Sequence, residues 1–247
     1  MGTTNDWRSP NYGDQFRGYE RPDFAQEFLR RNPAYIANYK RAGSDEAILK
    51  EVAARWGLCV AFDPSLKASE AKALWDDKYN PISVEIRGPE IELQNIAEEH
   101  HGTTFRNILL ADKDGNHYVI WKKTGGEEYQ IVVPMCCDTT LKLKAAYRFW
   151  RHIEGKTAGA YPSPYRLTEQ QRTRLSAALQ LIDSEKSGAS KRSVAEILYD
   201  ETISLRSWSD SSERAHMRRL LKRGKYLSDE GYRQLLNPSS GPALAGA

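Results

Sequence analysis

The chain has 247 residues, of which 40% are hydrophobic and 28% are charged, and its formal net charge is +3. This length suits about two domains, and the composition is that of a folded globular protein rather than a disordered chain. No stretch approaches the ~18 apolar residues of a membrane span, and the first residues lack the basic and apolar regions of a secretion signal. We therefore expect a cytoplasmic protein that is neither exported by a recognisable signal nor embedded in a membrane.

Helical signals dominate the first sixty residues. Apolar spacing predicts two short helices over residues 21–43, and Asn32 followed by Pro33 is the pattern of an N-cap with proline at the first helical position. Ser44 is predicted to cap a third helix, which Gly57 ends. Small helices are therefore expected at the start of the chain.

Strand patterns occupy the middle of the chain. Residues 58–62, "LCVAF", are short and apolar, and residues 82–86, "ISVEI", alternate, so both are predicted as strands. The strongest β signal is a pair of apolar runs around Asp114-Gly115, which predicts a hairpin, and residues 129–135 supply a further strand. Residues 89–101 fit a helix or a strand equally well. Together these segments predict a short antiparallel sheet.

From Thr139 onward the apolar spacing becomes helical. Residues 155–166 are rich in Gly and Pro, as is typical of a linker, and they follow the first helix of this half. Thr168 and Gln171 form a capping-box pattern at the start of the next helix, which ends near Gly188.

Serine residues are predicted to begin most of the remaining C-terminal helices. Ser190 is predicted to cap a short helix, Asp210 or Ser211 to start a basic helix, and Ser228 to start the last one. Because all of these elements are helical, the second half is predicted to contain no sheet.

Charge is distributed unevenly along the chain. Residues 1–138 hold 17 Lys and Arg against 22 Asp and Glu, a net −5, whereas residues 139–236 hold 19 against 11, a net +8. This segregation suggests that the second half meets a polyanion. We predict an α+β protein with an acidic mixed module for assembly or regulation over residues 1–138. This module is predicted to contain small helices and a short antiparallel sheet. A basic, all-helical, helix-turn-helix-like DNA-binding domain follows over 139–236, and then a flexible tail over 237–247.

Six basic residues lie within the twelve positions from Arg214 to Lys225. At about 100° per residue they fill one side of a helix, while Leu220 and Leu221 lie on the other. Glu213 is the one acid nearby within this helix, so the i,i+4 acid–base pairs of an ordinary solvated helix are almost absent. Such a face becomes favourable opposite phosphates, where each basic contact releases counterions.

The order of helices in this region favours DNA binding. A capped helix, a short helix and then the basic helix follow the order of a helix-turn-helix, although the connector of roughly ten residues is longer than a tight turn. Lys191 and Arg192 are predicted to contact the DNA backbone, whereas Arg214 and Arg218 are placed to reach base edges. The complete predicted DNA-binding set is Lys191, Arg192, Arg214, Arg218, Arg219, Lys222, Arg223 and Lys225.

The cationic face has other interpretations. It could be an unspecific solvated surface, or the surface by which a protein-interaction module such as an anti-activator docks an acidic partner protein. A nucleic-acid enzyme is a further alternative, with a site assembled from scattered carboxylates such as Asp112, Asp114 and Glu127. Three assays distinguish the DNA-binding protein, the protein-interaction module and the enzyme: binding of DNA, binding of an acidic protein and cleavage of DNA.

Motifs for other chemistry are missing from the sequence. The phosphate-loop, dinucleotide-binding and zinc-protease patterns are absent, so we predict no enzyme, no cofactor and no metal site. Cys59, Cys136 and Cys137 are odd in number and lack CxxC spacing, which favours neither disulfides nor zinc. His100 and His101 would point about 100° apart on a helix and could not easily share an ion.

Two stretches resemble known families. "DWRSPNYGDQF" with "DFAQEFLRRNPAYIANYK" is similar to the N-terminal transcriptional-regulator-like module of certain proteobacterial proteins, although Phe24 replaces a Trp of that pattern. Residues 147–199, with Trp208, "MRRLLKRGKYL" and "GYRQLL", resemble the DNA-binding domain of RovC-like activators of type VI secretion genes. The resemblance implies a transcriptional activator that binds promoter DNA through its C-terminal half and self-associates, for instance as a hexamer. RNA polymerase is the further partner expected of an activator.

Overall fold

The computed structural model describes residues 6–112, 115–199 and 201–238 of the chain. The helices are α1 (Arg21–Leu29), α2 (Pro33–Ala42), α3 (Glu46–Trp56), α4 (Thr139–Ile153), α5 (Glu169–Lys186), α6 (Lys191–Tyr199), α7 (Leu205–Ser209), α8 (Ser212–Tyr226) and α9 (Tyr232–Leu236). The strands are β1 (Val84–Gly88), β2 (Ile96–His101), β3 (Phe105–Asp112), β4 (Gly115–Lys123) and β5 (Gln130–Val132). Helices at both ends of the chain flank a central sheet, which confirms the predicted α+β class.

Local capping chemistry explains where the N-terminal helices begin and end. The Asn32 side chain accepts hydrogen bonds from the backbone N–H groups of Ala34 and Tyr35, so the predicted cap of α2 is confirmed. The predicted cap of α3 is wrong by one residue, because Asp45 rather than Ser44 accepts the first-turn N–H groups. Gly57 ends α3 in the left-handed conformation, with a φ of 76°, as the sequence predicts.

The sheet has the strand order β2-β3-β4-β1-β5. The predicted hairpin is confirmed, because β3 and β4 pair antiparallel with Leu109 opposite Tyr118; residues 113 and 114 of its turn lie outside the described part. Residues 89–101, which the sequence left undecided, contribute β2 at one edge. β5 forms the other edge, antiparallel to β1.

Two expectations for this region need correction. The sheet is mixed rather than wholly antiparallel, because β1 pairs parallel with β4 after the chain has passed through the β2–β3 segment. Residues 58–62 are not a strand: Leu58 makes an isolated antiparallel bridge with Trp75 and the pairing extends no further. An apolar run predicts burial, and Leu58 is buried, but burial alone does not supply a partner strand.

The C-terminal helices follow the predicted caps except at the end. Thr168 and Gln171 form the reciprocal capping box of α5, and Ser211 caps α8. Ser228 does not start a new helix, because residues Leu227–Gly231 form a π-helical turn that joins α8 to α9 without a break. From residue 239 onward the predicted tail lies outside the described residues.

Buried apolar side chains from all parts of the described chain form one cluster. It includes Phe24 and Phe28 of α1, Ile108 of β3, and Leu179 and Leu220 of the C-terminal helices. The helices at the two ends of the chain therefore share a core with the sheet. The division predicted at residue 138 stays a prediction. None of the helices in the described ranges is long and apolar enough to cross a membrane.

Buried charges fasten the N-terminal helices to α5, at what we call the Arg31 junction (Tyr12, Glu27, Arg31 and Asp183). The Arg31 guanidinium donates to Glu27 Oε2 at 2.6 Å and to both carboxylate oxygens of Asp183 at 2.8 and 2.9 Å. The Tyr12 hydroxyl donates to the same Asp183 at 2.6 Å. Since the Arg31 side chain is only 3% exposed, these carboxylates supply the counter-charge that a buried guanidinium requires.

Candidate nucleic-acid interface

The basic helix α8 is fixed by its apolar side. Met217, Leu220 and Leu221 are buried, and α8 packs against α5. Gly224 permits a close approach, because a Cβ there would lie 3.1 Å from the Ala178 carbonyl oxygen. The opposite side of α8, which carries the basic residues, is thereby turned toward solvent.

The start of α8 is held by serine and by one of its own arginines. The Ser211 hydroxyl accepts the backbone N–H of Arg214 at 3.1 Å and so caps the helix. The Arg214 guanidinium donates to the Ser209 carbonyl oxygen at 2.6 Å. This side chain is therefore directed back along α7 rather than straight outward.

A groove of about 700 Å³ runs between α8 and the start of α6, with Trp208 of α7 along it. We call it the cationic groove, because it gathers five of the predicted basic residues on two helices. The Ser190 hydroxyl caps the start of α6 by accepting the Ser193 backbone N–H at 3.1 Å. The groove is lined by Ala189, Ser190, Lys191, Trp208, Arg214, Arg218, Leu221, Lys222 and Lys225.

The other side of α8 carries a second set of cations, the outer flank, formed by Arg174 and Arg223. Burial lowers the pKa of His216, and the charges of Arg219 and then Arg174 lower it further, which puts both arginines in its neighbourhood. The Arg223 guanidinium lies over the Tyr226 ring, 5.2 Å from its centroid. Arg174 belongs to α5, and no pattern in the sequence connects it with α8.

Few of these cations have acidic partners. Lys225 pairs with Glu185 at 2.8 Å and Arg192 approaches Glu196 at 3.8 Å. Within the ranges that the structure describes, no carboxylate lies within ion-pair distance of the remaining predicted contacts, which are Lys191, Arg214, Arg218, Arg219, Lys222 and Arg223. No acid among the described residues offsets their mutual repulsion, which an external anion would relieve.

The connection between the two candidate helices is more than a turn. Helix α7 stands between α6 and α8, capped by the Ser204 hydroxyl, which accepts the Ser207 backbone N–H at 3.1 Å. Its Trp208 packs against the main core and lines the groove between α6 and α8. The helix-turn-helix assignment stays a prediction, and the long connector read from the sequence corresponds to this extra helical turn.

Family comparisons point to DNA binding for this half of the chain. Residues 132–237 match the RovC family described as "T6SS, Transcription factor, DNA binding domain", and α5 to α9 all lie inside that match. This part of the chain is similar to a transcription-factor DNA-binding domain. Residues 6–59 match a "Proteobacterial transcriptional regulator-like domain". The two matches confirm the resemblance and indicate a DNA-binding transcriptional regulator in the context of type VI secretion. No curated protein and no solved structure shows significant similarity to the chain.

The residues considered for other chemistry are scattered. Burial raises the pKa of the Cys59 thiol to about 12, aided by the charges of Asp76 and Asp77, whereas Cys136 and Cys137 are exposed. Glu127 is an exposed turn residue, and Asp114 lies outside the described residues. In the described ranges, His, Cys, Asp and Glu do not gather in groups of three that could hold a metal ion. His100 and His101 lie on strand β2 rather than at a helix end. Because successive side chains of a strand point to opposite faces, these two do not face a common site.

Proposed function

We propose that the chain activates bacterial transcription, such as that of type VI secretion genes, by binding duplex promoter DNA with α8. The observation that carries this proposal is the set of cations without acidic partners on a helix whose opposite side is packed. Arg218, Arg219 and Lys222 are all exposed on that helix. The match of this segment to a DNA-binding family supports a phosphate polyanion as the partner.

Phosphate attraction and base contacts have separate roles in this proposal. Lys191 at the start of α6 and Arg214, Arg218 and Lys225 of α8 neutralise backbone phosphates and release their counterions. The width of a helix with its side chains, about 10–12 Å, fits the ~12 Å width of the major groove. The exposed side of α8 then faces the base edges. Promoter DNA in bacteria lies in the cytoplasm, where the proposal locates the protein.

Self-association and contact with RNA polymerase complete the proposed activation. An apolar stripe on α4 supports self-association: Leu143, Tyr147, Trp150 and Ile153 are exposed, and the Tyr147 and Trp150 rings stack with centroids 5.6 Å apart. Several copies bound to repeated sites would multiply the affinity of each. Sedimentation tests this step: Tyr147→Lys is expected to shift the protein to smaller species, and an unchanged distribution would remove α4 from the interface.

Fluorescence-anisotropy titrations with duplex DNA across a salt series test the DNA-binding step. The probes are duplexes from the region upstream of candidate target genes and a random duplex of equal length. Arg218→Ala and Arg223→Ala are each expected to weaken binding and to flatten the log–log salt slope by about one, because each removes one phosphate neutralisation.

Lys40→Ala is the matched control, because Lys40 is exposed on α2, outside the groove. It is expected to leave affinity and slope unchanged. Absence of duplex binding by the wild type at physiological salt, or binding that neither α8 substitution alters, would refute the proposal.

An acidic protein remains the second candidate partner. The specific observation in its favour is that Lys225, at the groove, already donates to the carboxylate of Glu185. A protein partner would present similar carboxylates to Lys191, Arg214 and Arg218. Pull-down with the wild type and with Arg218→Ala separates the candidates. If the partner is an acidic protein, the wild type should capture it, Arg218→Ala should lose it, and neither protein should bind DNA.

A further inference from the structure

We infer that sequence is read by a single ridge of α8, formed by Ala215, Arg219 and Lys222, while the cations on either side of it hold the two DNA backbones. This inference rests on the proposed function and names the specificity-determining residues within it. It differs from the sequence-based assignment of Arg214 and Arg218 to base edges.

Burial of α8 fixes the direction of the ridge. Met217, Leu220, Leu221 and Gly224 are the buried positions that face α5 and its neighbours. Ala215, Arg219 and Lys222 follow one another at i, i+4 and i+7, so they lie in one row, and all three are exposed. At about 100° per residue this row is opposite the buried side. It is therefore the part of α8 that projects furthest from the body of the protein.

Cations flank the ridge on both sides. Toward α6 lie Lys191, Arg214 and Lys225 in the cationic groove, and toward α5 lie Arg174 and Arg223 on the outer flank. When a helix enters the major groove, its projecting row meets base edges and its two sides face the two phosphate backbones. The arrangement of α8 between two cationic flanks matches that geometry.

Internal contacts hold three of the flank side chains. Arg214 is tied to the Ser209 carbonyl oxygen, Lys225 to Glu185, and Arg223 lies over the Tyr226 ring. In contrast, no hydrogen bond or ion pair to another described residue is formed by the side chains of Arg219 or Lys222. Their donors are free to extend to base edges, whereas Arg214, Lys225 and Arg223 are held by contacts within the chain.

The chemistry of the ridge specifies what it would recognise. A guanidinium reaches guanine O6 and N7 with two parallel donors, so Arg219 would select guanine. Ala215 lies one turn earlier, near the start of α8, where recognition helices contact bases. Its methyl group is short enough to let the backbone of α8 approach the groove floor, and it fits an apolar contact with a thymine methyl group.

Paired substitutions of arginine separate base reading from backbone attraction. The probes are duplexes that the wild type selects from a randomised library, compared with an unrelated duplex of equal length, by anisotropy across a salt series. Arg219→Ala is expected to reduce the preference for the selected duplex by about tenfold or more, and a repeated selection with this variant should lose one guanine. Arg223→Ala, the matched control, should weaken both duplexes alike and flatten the salt slope by about one.

Ala215→Gln is the second variant, chosen because glutamine retains good helix propensity. It is expected to change the selected sequence at a thymine while leaving the salt slope unchanged. The inference is overturned if Arg219→Ala weakens both duplexes equally, as a backbone contact would, or if Arg223→Ala abolishes the preference. A wild type that binds neither duplex would instead refute the proposed function itself.

Discussion

The Arg31 junction and the exposed face of α8 both depend on arginine, but they place it in opposite environments. Arg31 is buried and is enclosed by the carboxylates of Glu27 and Asp183. Arg219 is exposed, and among the described residues no acid lies within ion-pair distance of it. An arginine whose counter-charge is inside the chain stabilises the fold, whereas one without such a partner is available to an external anion.

The difference also changes what each residue contributes to stability. Removing one partner from a buried pair leaves a charge that neither water nor protein solvates, so the cost is large. An exposed cation loses little when it is truncated, because water already solvates it. The junction and α8 should therefore respond in opposite ways to substitution: the first in the free energy of unfolding, the second in DNA affinity.

The largest expected effect is at Asp183. Asp183→Ala leaves Arg31 buried without half of its partners, and we expect the free energy of unfolding to fall by about 3–5 kcal/mol in urea titrations. Glu127→Ala, at an exposed turn, is the control and should change it by less than about 0.5 kcal/mol. A loss at Asp183 as small as that of the control would show that the junction does not hold the two ends of the chain together.

Acid should weaken the same junction. Burial raises the pKa of the Asp183 carboxyl, but the hydrogen bonds and charge of Arg31, with the Tyr12 hydroxyl, outweigh burial and hold that pKa below its ordinary value. The unfolded state then binds this proton more readily than the folded state. The contribution is therefore complete above pH ~4 and is lost as the pH falls through the lowered value.

Urea unfolding between pH 7 and pH 2.5 measures this loss. Asp183→Asn is expected to remove part of the pH dependence, because an amide does not titrate. If the variant and the wild type show the same dependence on pH, the proton responsible binds at another group.

The smallest expected effect is at Glu185. Glu185→Gln frees Lys225 from an exposed pair, so the free energy of unfolding should change by no more than about 0.5 kcal/mol. DNA affinity should rise by about twofold, and the log–log salt slope should steepen by up to about one, since one more cation can meet a phosphate. Glu230→Gln, at an exposed position of the π-helical turn, is the control. A fall in DNA affinity at Glu185 would mean that the pair orients Lys225 for binding.

Local patterns predicted the elements that depend on neighbouring residues. The caps at Asn32, Thr168 and Ser211 were all recognisable, because a capping side chain bonds to N–H groups within one turn. The caps predicted at Ser44 and Ser228 were wrong for a related reason. The adjacent Asp45 caps α3 in place of Ser44, and the π-helical turn Leu227–Gly231 continues α8 so that no new cap forms at Ser228.

The candidate site was only partly predictable. The cationic and apolar sides of α8 follow from the 3.6-residue period, and Arg218, Arg219 and Lys222 were identified from it. The groove beside Trp208 and the proximity of Arg174 were not, since both depend on how α7 and α5 pack around α8. The hydrogen bond from Arg214 to the Ser209 carbonyl oxygen was not predictable either, because it depends on the backbone conformation between these two residues.

By itself, the sequence determined most of the helices and where they begin, the β3–β4 hairpin, and the excess of positive charge in the C-terminal half. Tertiary structure decided which charges are neutralised within the chain and which stay open to a partner. Arg31 and Arg219 look alike in the sequence, but Arg31 meets a carboxylate 152 residues away. Long-range contacts of this kind cannot be read from local spacing, because only the folded chain brings such distant side chains within a few ångströms of each other.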